Sequence, residues 1–557
     1  MIYSADFETT TQENDCRVWA WGICDIKSFA FQYGNSMETF IEFLKKHGGD
    51  KFYFHNLKFD SEFIIYWLFK NNFIYIEDAR KLKSNSFNVV LSDMGNFYSM
   101  KICFYKDNDV ENIVEIVDSL KLFNFKVEEL SKKFGLDDKK LKINYDEYRE
   151  VGHELTSEEI AYLKNDVIIV AKCLNIMFDM KLNKNTIASN ALNSYKKLIT
   201  PKKFNRWFPK LSLEDDSNIR ESYKGGFTYV NPKIANRNIG EGIVLDVNSL
   251  YPFVMSSRKL PYDYPIRFEG EYQKDDVYNI YIQVFRCNFK LKENYIPTIQ
   301  IKNDKTFKAT EYLETDDSNY PVLCLTNIDL ELFKEHYIIE NIEYLFGYKF
   351  KSTSGLFDKY INHWMDVKVQ GQKEGKEGMR QCAKLMLNAL YGKFGLNPVM
   401  VAKTPYLEDD IVRYQTQKEK IREPIYIPMA SFITAYAREI TIRSAQKNFD
   451  RFLYSDTDSL HLSGTDIPDN IKIDKYELGA WKHESTFSRA RFIRAKTYIE
   501  TINGKDVVTG AGMPDECKSY VTWKNFKPNT KIKKGKLAPK HVPGGIVLKD
   551  IDFTIKI

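Results

Sequence analysis

At 557 residues the chain is too long for one hydrophobic core, so several domains are expected. Its 43% hydrophobic and 28% charged content is that of a soluble globular protein, and its longest apolar run, near Phe63 to Phe69, is far too short to span a bilayer. Eight scattered cysteines without a C-x-x-C pair argue against a disulfide framework or a zinc site and fit a reducing cytosol, and Met1 to Asp6 lacks the basic and apolar regions of a signal peptide. The net charge of +5 hides an uneven distribution: Lys518 to Lys549 holds nine lysines and no acid, with Trp523 and Phe526 among them. That segment reads either as a solvated basic tail or as a surface that tracks a nucleic-acid backbone.

In chain order, Ile2 to Thr10 reads as a strand, on which Asp6 and Glu8 share one face. Trp19 to Ile23 and Tyr53 to Asn56 read as further strands, the latter leading through Asp60 into a helix from Ser61. Thr156 with Glu159 three residues on is a capping box, and the helix it starts puts Tyr162 and Asp166 four apart on one face. Each acid alone could be ordinary solvated surface. Together, D-x-E, N-x-x-x-D and Y-x-x-x-D form the set that two-metal phosphodiester hydrolysis would use. Asp6, Glu8 and Asp166 would hold the ions, Asp60 would help orient them, and Tyr162 would orient the attacking water. Between them lie Asp118-Ser119-Leu120 and Lys140, a lysine that could stabilise charge at a scissile phosphate or be plain surface. The alternation fits a ribonuclease-H-like α/β layer.

A helical stretch from Thr186 to Lys197 leads to Pro201 and then to Tyr223-Lys224-Gly225-Gly226-Phe227. Its two glycines permit close backbone approach, plausible toward a phosphate backbone, although a plain turn is as good a reading. Gly242 to Leu245 forms a strand that delivers Asp246 and turns at Ser249-Leu250-Tyr251-Pro252. The hairpin Leu453 to Leu460 places Asp456 and Asp458 two residues apart at its tip. Paired acids there would raise both pKa values unless a cation such as Mg²⁺ sits between them. Helical spacing from Arg380 to Lys393 aligns Arg380, Lys384, Asn388 and Tyr391, with Leu385, Leu387 and Leu390 opposite. Two cations a turn apart suit a triphosphate, and the aromatic suits stacking on a base. Trp364 and Lys368 lie on a preceding helix, with Glu374 to Gly378 as the tip between the two. Lys496 and Tyr498 are expected on one strand face, where they could hold a primer end.

Taken together, D-x-E, N-x-x-x-D, Y-x-x-x-D, D-x-x-S-L-Y-P, K-x-x-x-N-x-x-Y-G, Y-x-D-T-D and K-x-Y, in this order along the whole chain, resemble a family B DNA polymerase of the protein-primed phage type. The resemblance implies an α/β multidomain fold, a ribonuclease-H-like 3′–5′ exonuclease followed by a right-hand palm, fingers and thumb with two insertions. Asp246 and Asp458 would bind the catalytic metals, with the Val247 carbonyl as a further ligand and Asp456 in support. Tyr251 would lie beneath the incoming sugar, Lys368 and Lys384 would contact the triphosphate, and Tyr391 the nascent pair. Lys140 would assist the exonuclease, Asn56, Phe59, Ser119 and Leu120 would hold the single-stranded primer end, and Tyr223, Gly225 and Gly226 would lie between the two sites. Two Mg²⁺ ions per site are implied, with Mn²⁺ as an alternative. The implied partners are primer-template and single-stranded DNA, dNTPs and a terminal priming protein, with no membrane, in a monomer or a heterodimer with the priming protein, in the cytoplasm of an infected bacterial host.

The resulting division is exonuclease 1–186, palm 187–257, a priming-protein docking insertion 258–357, fingers 358–394, a second insertion for strand displacement 395–428, palm 429–522 and thumb 523–557. Within the second insertion the charged segment Gln415 to Arg422 is expected to be the loop tip. Three departures stand out: Ala389 replaces the family's serine, Lys142 stands where an acid is common, and Thr501 to Met513 is short. Two rival readings are a DNA-binding replication factor without catalysis and a nuclease alone. Intact acids in both clusters weigh against the first, and Lys384 and Tyr391, which a nuclease does not need, against the second.

Overall fold

The computed structural model describes residues 1–107, 110–145, 147–300, 312–316 and 320–556, so parts of the expected docking insertion lie outside the described residues. The N-terminal region is built on an eight-stranded sheet in the order Phe31–Gly34, Val18–Asp25, Ile2–Thr9, Lys51–Phe54, Glu111–Asp118, Phe97–Lys106, Ser86–Leu91 and Ile74–Tyr75. Ile2–Thr9 pairs antiparallel with Val18–Asp25 and parallel with Lys51–Phe54, and it is buried along most of its length, Glu8 included. The helix Ser157–Asp179 crosses this strand pair, opened by the predicted capping box of Thr156 and Glu159. It comes so close that a Cβ on Gly22 would lie 2.7 Å from Leu163 Cγ, and the Ser4 hydroxyl donates to the Val167 carbonyl at 2.6 Å. That approach carries Tyr162 and Asp166 over Asp6 and Glu8.

The second sheet has seven strands, in the order Lys505–Gly510, Thr497–Ile502, Trp481–Arg494, Gly242–Val247, Ser459–Ser463, Phe452–Asp456 and Thr228–Val230. Every described pairing in it is antiparallel, and Gly242–Val247 sits at the centre. The largely buried helix Ile427–Lys447 packs behind it. Two antiparallel helices, Asp358–Lys373 and Glu377–Ala389, meet through the tip at Gly375 and rest on the helix Ile187–Ile199. Gly371 allows their close crossing: a Cβ there would stand 2.9 Å from the Arg380 backbone nitrogen. A four-stranded sheet (Leu260–Glu269, Tyr337–Thr353, Ile280–Leu291, Val322–Thr326) occupies the first insertion. A hairpin of Lys403–Glu408 and Ile411–Thr416 occupies the second, and a C-terminal hairpin pairs Leu537–Val542 with Gly545–Asp550.

Several local expectations need correction. The helix expected from Ser61 begins at Leu57, because Asn56 turns the chain in the left-handed region (φ 72°) and Asp60 falls in the first helical turn. On the helix Glu377–Ala389 the buried face is Cys382, Ala383, Met386 and Leu387, while Leu385 is only half-buried. Lys496 is not on a strand: it occupies a left-handed turn (φ 57°) just before Thr497–Ile502. The tip of the second insertion is Asp409-Asp410, both at positive φ, rather than Gln415 to Arg422.

That tip is docked. Asp410 accepts from the Tyr66 hydroxyl at 3.0 Å and pairs with Lys70 at 2.8 Å, both on the helix Leu57–Lys70. The C-terminal hairpin reaches the same region: at its turn, a Cβ on Gly544 would come 1.9 Å from the Cys16 carbonyl oxygen. Lys540 and Lys549 of that hairpin both pair with Glu13. At the junction of all three parts the buried Glu62 carboxylate accepts from the Tyr414 hydroxyl at 2.8 Å and lies 3.4 Å from His541 Nδ1.

Two candidate active sites

At the first site, the ligand atoms of Asp6, Glu8 and Asp166 all lie within 4.8 Å of one another. Desolvation and the Asp166 charge push the Asp6 carboxyl up to about 7, and desolvation with Asp6 raises both Glu8 and Asp60 well above the usual carboxylate range. Asp166 Oδ1 is buried without a hydrogen-bond partner, while Oδ2 takes the Lys140 ammonium at 3.2 Å. Three crowded hard-oxygen donors, one with an orphaned oxygen, fit a divalent cation. Asp60 is buried alongside but is not one of the converging three. The Tyr162 and Tyr145 hydroxyls are 2.6 Å apart, and Lys140 Nζ stands 5.9 Å from the Tyr162 ring centre. Lys140 sits in an irregular segment before the helix Ser157–Asp179, not on a helix.

A cleft of about 710 Å³ opens beside this cluster, with Asn56, Leu120, Phe125 and Lys140 in its wall. Phe59 is half-buried with its ring 5.6 Å from that of Phe63. Ser119 does not reach the cleft. Its buried hydroxyl donates to the Phe54 carbonyl at 3.0 Å and meets His55 Nδ1 at 2.9 Å, so it positions rather than presents. The other His55 nitrogen meets the Phe125 carbonyl at 2.7 Å, and burial pushes that imidazole down to about 4. Asp118 fixes the same corner by accepting from the Asn56 and Leu120 amides.

The second site is a cavity of about 450 Å³ on the seven-stranded sheet. Asp246, Val247, Asp458, Tyr251, Tyr391, Lys368, Lys384, Asn388 and Lys482 line it, together with the turn from Asn248 to Leu250. Asp458 lies in the two-residue turn after Asp456, tied by the bond from the Val247 amide to its carbonyl at 2.8 Å. Desolvation and then the Asp246 charge push the Asp458 carboxyl up to about 6, and desolvation raises Asp246 against the pull of Lys482. Among the described residues, Asp246, Asp456 and Asp458 do not converge as tightly as the first three acids. Asp456 faces elsewhere, held by both oxygens to Lys496 (2.8 and 3.0 Å) and by the Thr228 hydroxyl at 3.2 Å. The Tyr251 and Tyr391 rings stack 4.0 Å apart. Burial, then the charge of Arg380, lowers the proton affinity of both Lys368 and Lys384. Arg380 itself is not in the wall but is paired with Glu377 at 2.6 Å. Tyr498 packs among Tyr454, His461 and Phe492 and steadies the hairpin from behind.

The glycine loop gains a reason. A Cβ on Gly226 would meet Thr457 Oγ1 at 2.6 Å, so this glycine makes room for the tip between Asp456 and Asp458. Tyr223 lies against Gly395 in the same way. Behind the loop, buried Arg438 donates to the Lys224 and Gly225 carbonyls (3.0 and 2.8 Å) and forms a two-pronged pair with Asp329. The Thr441 hydroxyl donates to the Thr457 carbonyl at 2.8 Å. Sequence reasoning missed Tyr145, Lys482, Arg438 and Asp329. None lies in a short motif, and each acquires its role from a partner distant in the chain.

Residues 43–476 match the family model of DNA polymerase type B, organellar and viral. The chain is 46% identical to the DNA polymerase of Bacillus phage phi29, with 100% of this chain and 99% of the relative covered. It is 33% identical to the DNA polymerase of Streptococcus phage Cp-1, with 100% and 98% covered. Among solved structures, phi29 DNA polymerase complexed with primer-template DNA and incoming nucleotide superposes with a TM-score of 0.93 at 45% identity, and its complex with single-stranded DNA with 0.93 at 44%, all of both chains being covered. The fold is therefore the exonuclease-plus-right-hand architecture, and the chain belongs to the type B DNA polymerases of organelles and viruses.

Proposed function

We propose that this DNA polymerase extends DNA from a primer end and from a priming-protein hydroxyl, displaces the strand ahead, and proofreads with a separate 3′–5′ exonuclease. The observation that carries the synthetic reading is the cavity in which Asp246 and Asp458 face Lys368 and Lys384 beneath the stacked Tyr251 and Tyr391. Acids on one side and lysines on the other match a triphosphate with its metals, and a tyrosine wall limits the sugar. Mg²⁺ held by Asp246, the Val247 carbonyl and Asp458, and by Asp6, Glu8 and Asp166, would lower the pKa of the attacking oxygen and neutralise the departing one. Asp456 supports from its clasp with Lys496, whose half-exposed side chain would hold the primer end.

At the exonuclease site Tyr162 and Lys140 flank the acids, where they orient the attacking water and balance charge on the scissile phosphate. Asn56 and Leu120 line the cleft through which a single strand enters. Support for strand displacement comes from the second insertion and the C-terminal hairpin, which close on the exonuclease helix and on one another as a ring of contacts. Support for a docking role of the first insertion comes from exposed apolar side chains at both ends of its sheet, Tyr264 and Ile266 on Leu260–Glu269 and Ile338 and Ile342 on Tyr337–Thr353. Among the described residues no helix is long and apolar enough to cross a membrane, and the phage origin of the relatives supports work in the cytoplasm of an infected bacterium.

The test is one set of gels. Labelled primer on a single-stranded circle should lengthen beyond one circle with dNTPs and shorten without them, and a labelled dNTP should transfer to the cognate priming protein. Absence of extension by a folded chain would sink the reading.

A further inference from the structure

We propose that Lys482 is a resident counter-cation of the polymerase carboxylates, which holds Asp246 before the metal arrives and hands over to the nucleotide phosphates when it does. Trp481–Arg494 pairs antiparallel with Gly242–Val247, and Lys482 is the direct cross-strand partner of Asp246. Residues so paired project from the same face. The Lys482 ammonium lies 3.1 Å from Asp246 Oδ2 and also 2.8 Å from Glu484. The pairing slips by one residue at that point, since Val244 faces Ser485 while Leu245 faces His483. Such a bulge re-aims its extra residue, here Glu484, and gives the ammonium a second carboxylate on its own strand.

The geometry makes two demands on the lysine incompatible. A hard divalent ion binds a carboxylate oxygen at about 2 Å, and a fixed ammonium on the same carboxylate would repel it. Lys482 therefore competes with the ion for Asp246 while the cavity is empty. It is also the cavity cation that stands on the strand side, opposite Lys368 and Lys384 on the helices. When metal takes Asp246, the ammonium can swing to Glu484 or into the cavity without leaving it, and an incoming triphosphate adds the negative charge that rewards the move. The residue thus opposes metal binding in the nucleotide-free enzyme and favours nucleotide binding in the metal-loaded one. It is a positioning residue acting through Asp246 until the triphosphate arrives.

The test uses full-length protein carrying Asp6→Ala and Glu8→Ala, so that the other cluster takes no metal. Mn²⁺ binding without nucleotide is read by electron paramagnetic resonance, and dNTP affinity by fluorescence on a dideoxy-terminated primer. Lys482→Ala should tighten Mn²⁺ by about fivefold, the scale of one partly exposed charge, and weaken the dNTP by a similar factor. Lys482→Arg should preserve both. Glu484→Gln should weaken Mn²⁺ only when Lys482 is present, so adding it to Lys482→Ala should change nothing further. Unchanged or weaker Mn²⁺ binding in Lys482→Ala would overturn the competition. Unchanged dNTP affinity would overturn the handover, and a merely structural lysine would move neither.

Discussion

Replacing Gly226 by Ala would place a methyl carbon 2.6 Å from Thr457 Oγ1, 2.7 Å from its Cγ2 and 3.0 Å from its Cβ. Thr457 has little freedom to yield. It sits at φ 63°, its amide donates to the Phe227 carbonyl at 2.7 Å, and its carbonyl takes the Thr441 hydroxyl at 2.8 Å. Restoring ordinary contact requires a shift of roughly half an ångström or more, and overpacking of this kind costs about 1–3 kcal/mol. Asp456 and Asp458 flank Thr457, so the shift falls on the catalytic turn, where a displacement near 1 Å can cost about a hundredfold in rate. Single-turnover insertion of one nucleotide should therefore slow by about ten- to a hundredfold. The neighbouring glycine is the control: a Cβ on Gly225 meets nothing nearer than Gln300 Nε2 at 3.8 Å, so Gly225→Ala should change the rate by no more than about twofold. Adding Thr457→Gly to Gly226→Ala removes the clashing atoms at a position whose positive φ suits glycine, and should restore most of the rate. Equal damage from the two alanines, or no rescue by Thr457→Gly, would refute the steric account and return Gly226 to a role in contacting DNA.

Asp6→Ala with Glu8→Ala should abolish primer degradation on a gel while extension persists, because those acids converge with Asp166 and not with Asp246 or Asp458; loss of both activities in a folded protein would contradict two separate sites. In the metal-free protein, thermal stability should fall as pH rises from about 5 to about 7. Asp6 holds its proton up to about 7 when folded against an ordinary 3.8, so across that window the folded state binds a proton the unfolded chain has released. Asp6→Asn should reduce the slope in calorimetry, and added Mg²⁺, which binds the charged acids, should reduce it too. Tyr414→Ala strips the hydroxyl that bonds buried Glu62 and loosens the junction with the C-terminal hairpin, so products on a primed circle should shorten while single-nucleotide insertion survives.

Local pattern carried the acid motifs into the right elements. Alternation put Asp6 and Glu8 on a strand, the capping box opened the helix of Tyr162 and Asp166, and the Asp456–Asp458 hairpin lies where its flanking strand formers placed it. These signals span fewer than a dozen residues, and the backbone periods of strand and helix translate them directly into faces. Boundaries set by backbone conformation were less readable. Nothing in the composition around Asn56 announces a left-handed cap, and Lys496 looked like part of a strand because its alternation with Tyr498 continues across a turn. The second insertion misled for a related reason: charge density marked Gln415 to Arg422 as the tip, but two successive left-handed aspartates make the reversal at Asp409-Asp410.

What no local pattern could supply is the pairing of each acid with its lysine. Asp166 meets Lys140 of an irregular loop, Asp246 meets Lys482 of a strand far away in the chain, and Asp456 meets Lys496 of the turn before Thr497–Ile502, forty residues on. In all three an ammonium sits against one carboxylate of an acid cluster. The common arrangement has a physical origin: carboxylates gathered tightly enough to share metal ions repel one another when the ions are absent, and their desolvation raises the proton affinities of Asp6, Glu8 and Asp458. A lysine on a nearby flexible stem lowers that cost while its charge stays displaceable. Lys496 has the most exposed of the three ammonium groups and Lys482 the least. On this argument Lys482, which lines the cavity of Asp246 and Asp458, is the lysine whose removal should act most directly on metal and triphosphate together, whereas loss of Lys496 should act through the geometry of Asp456.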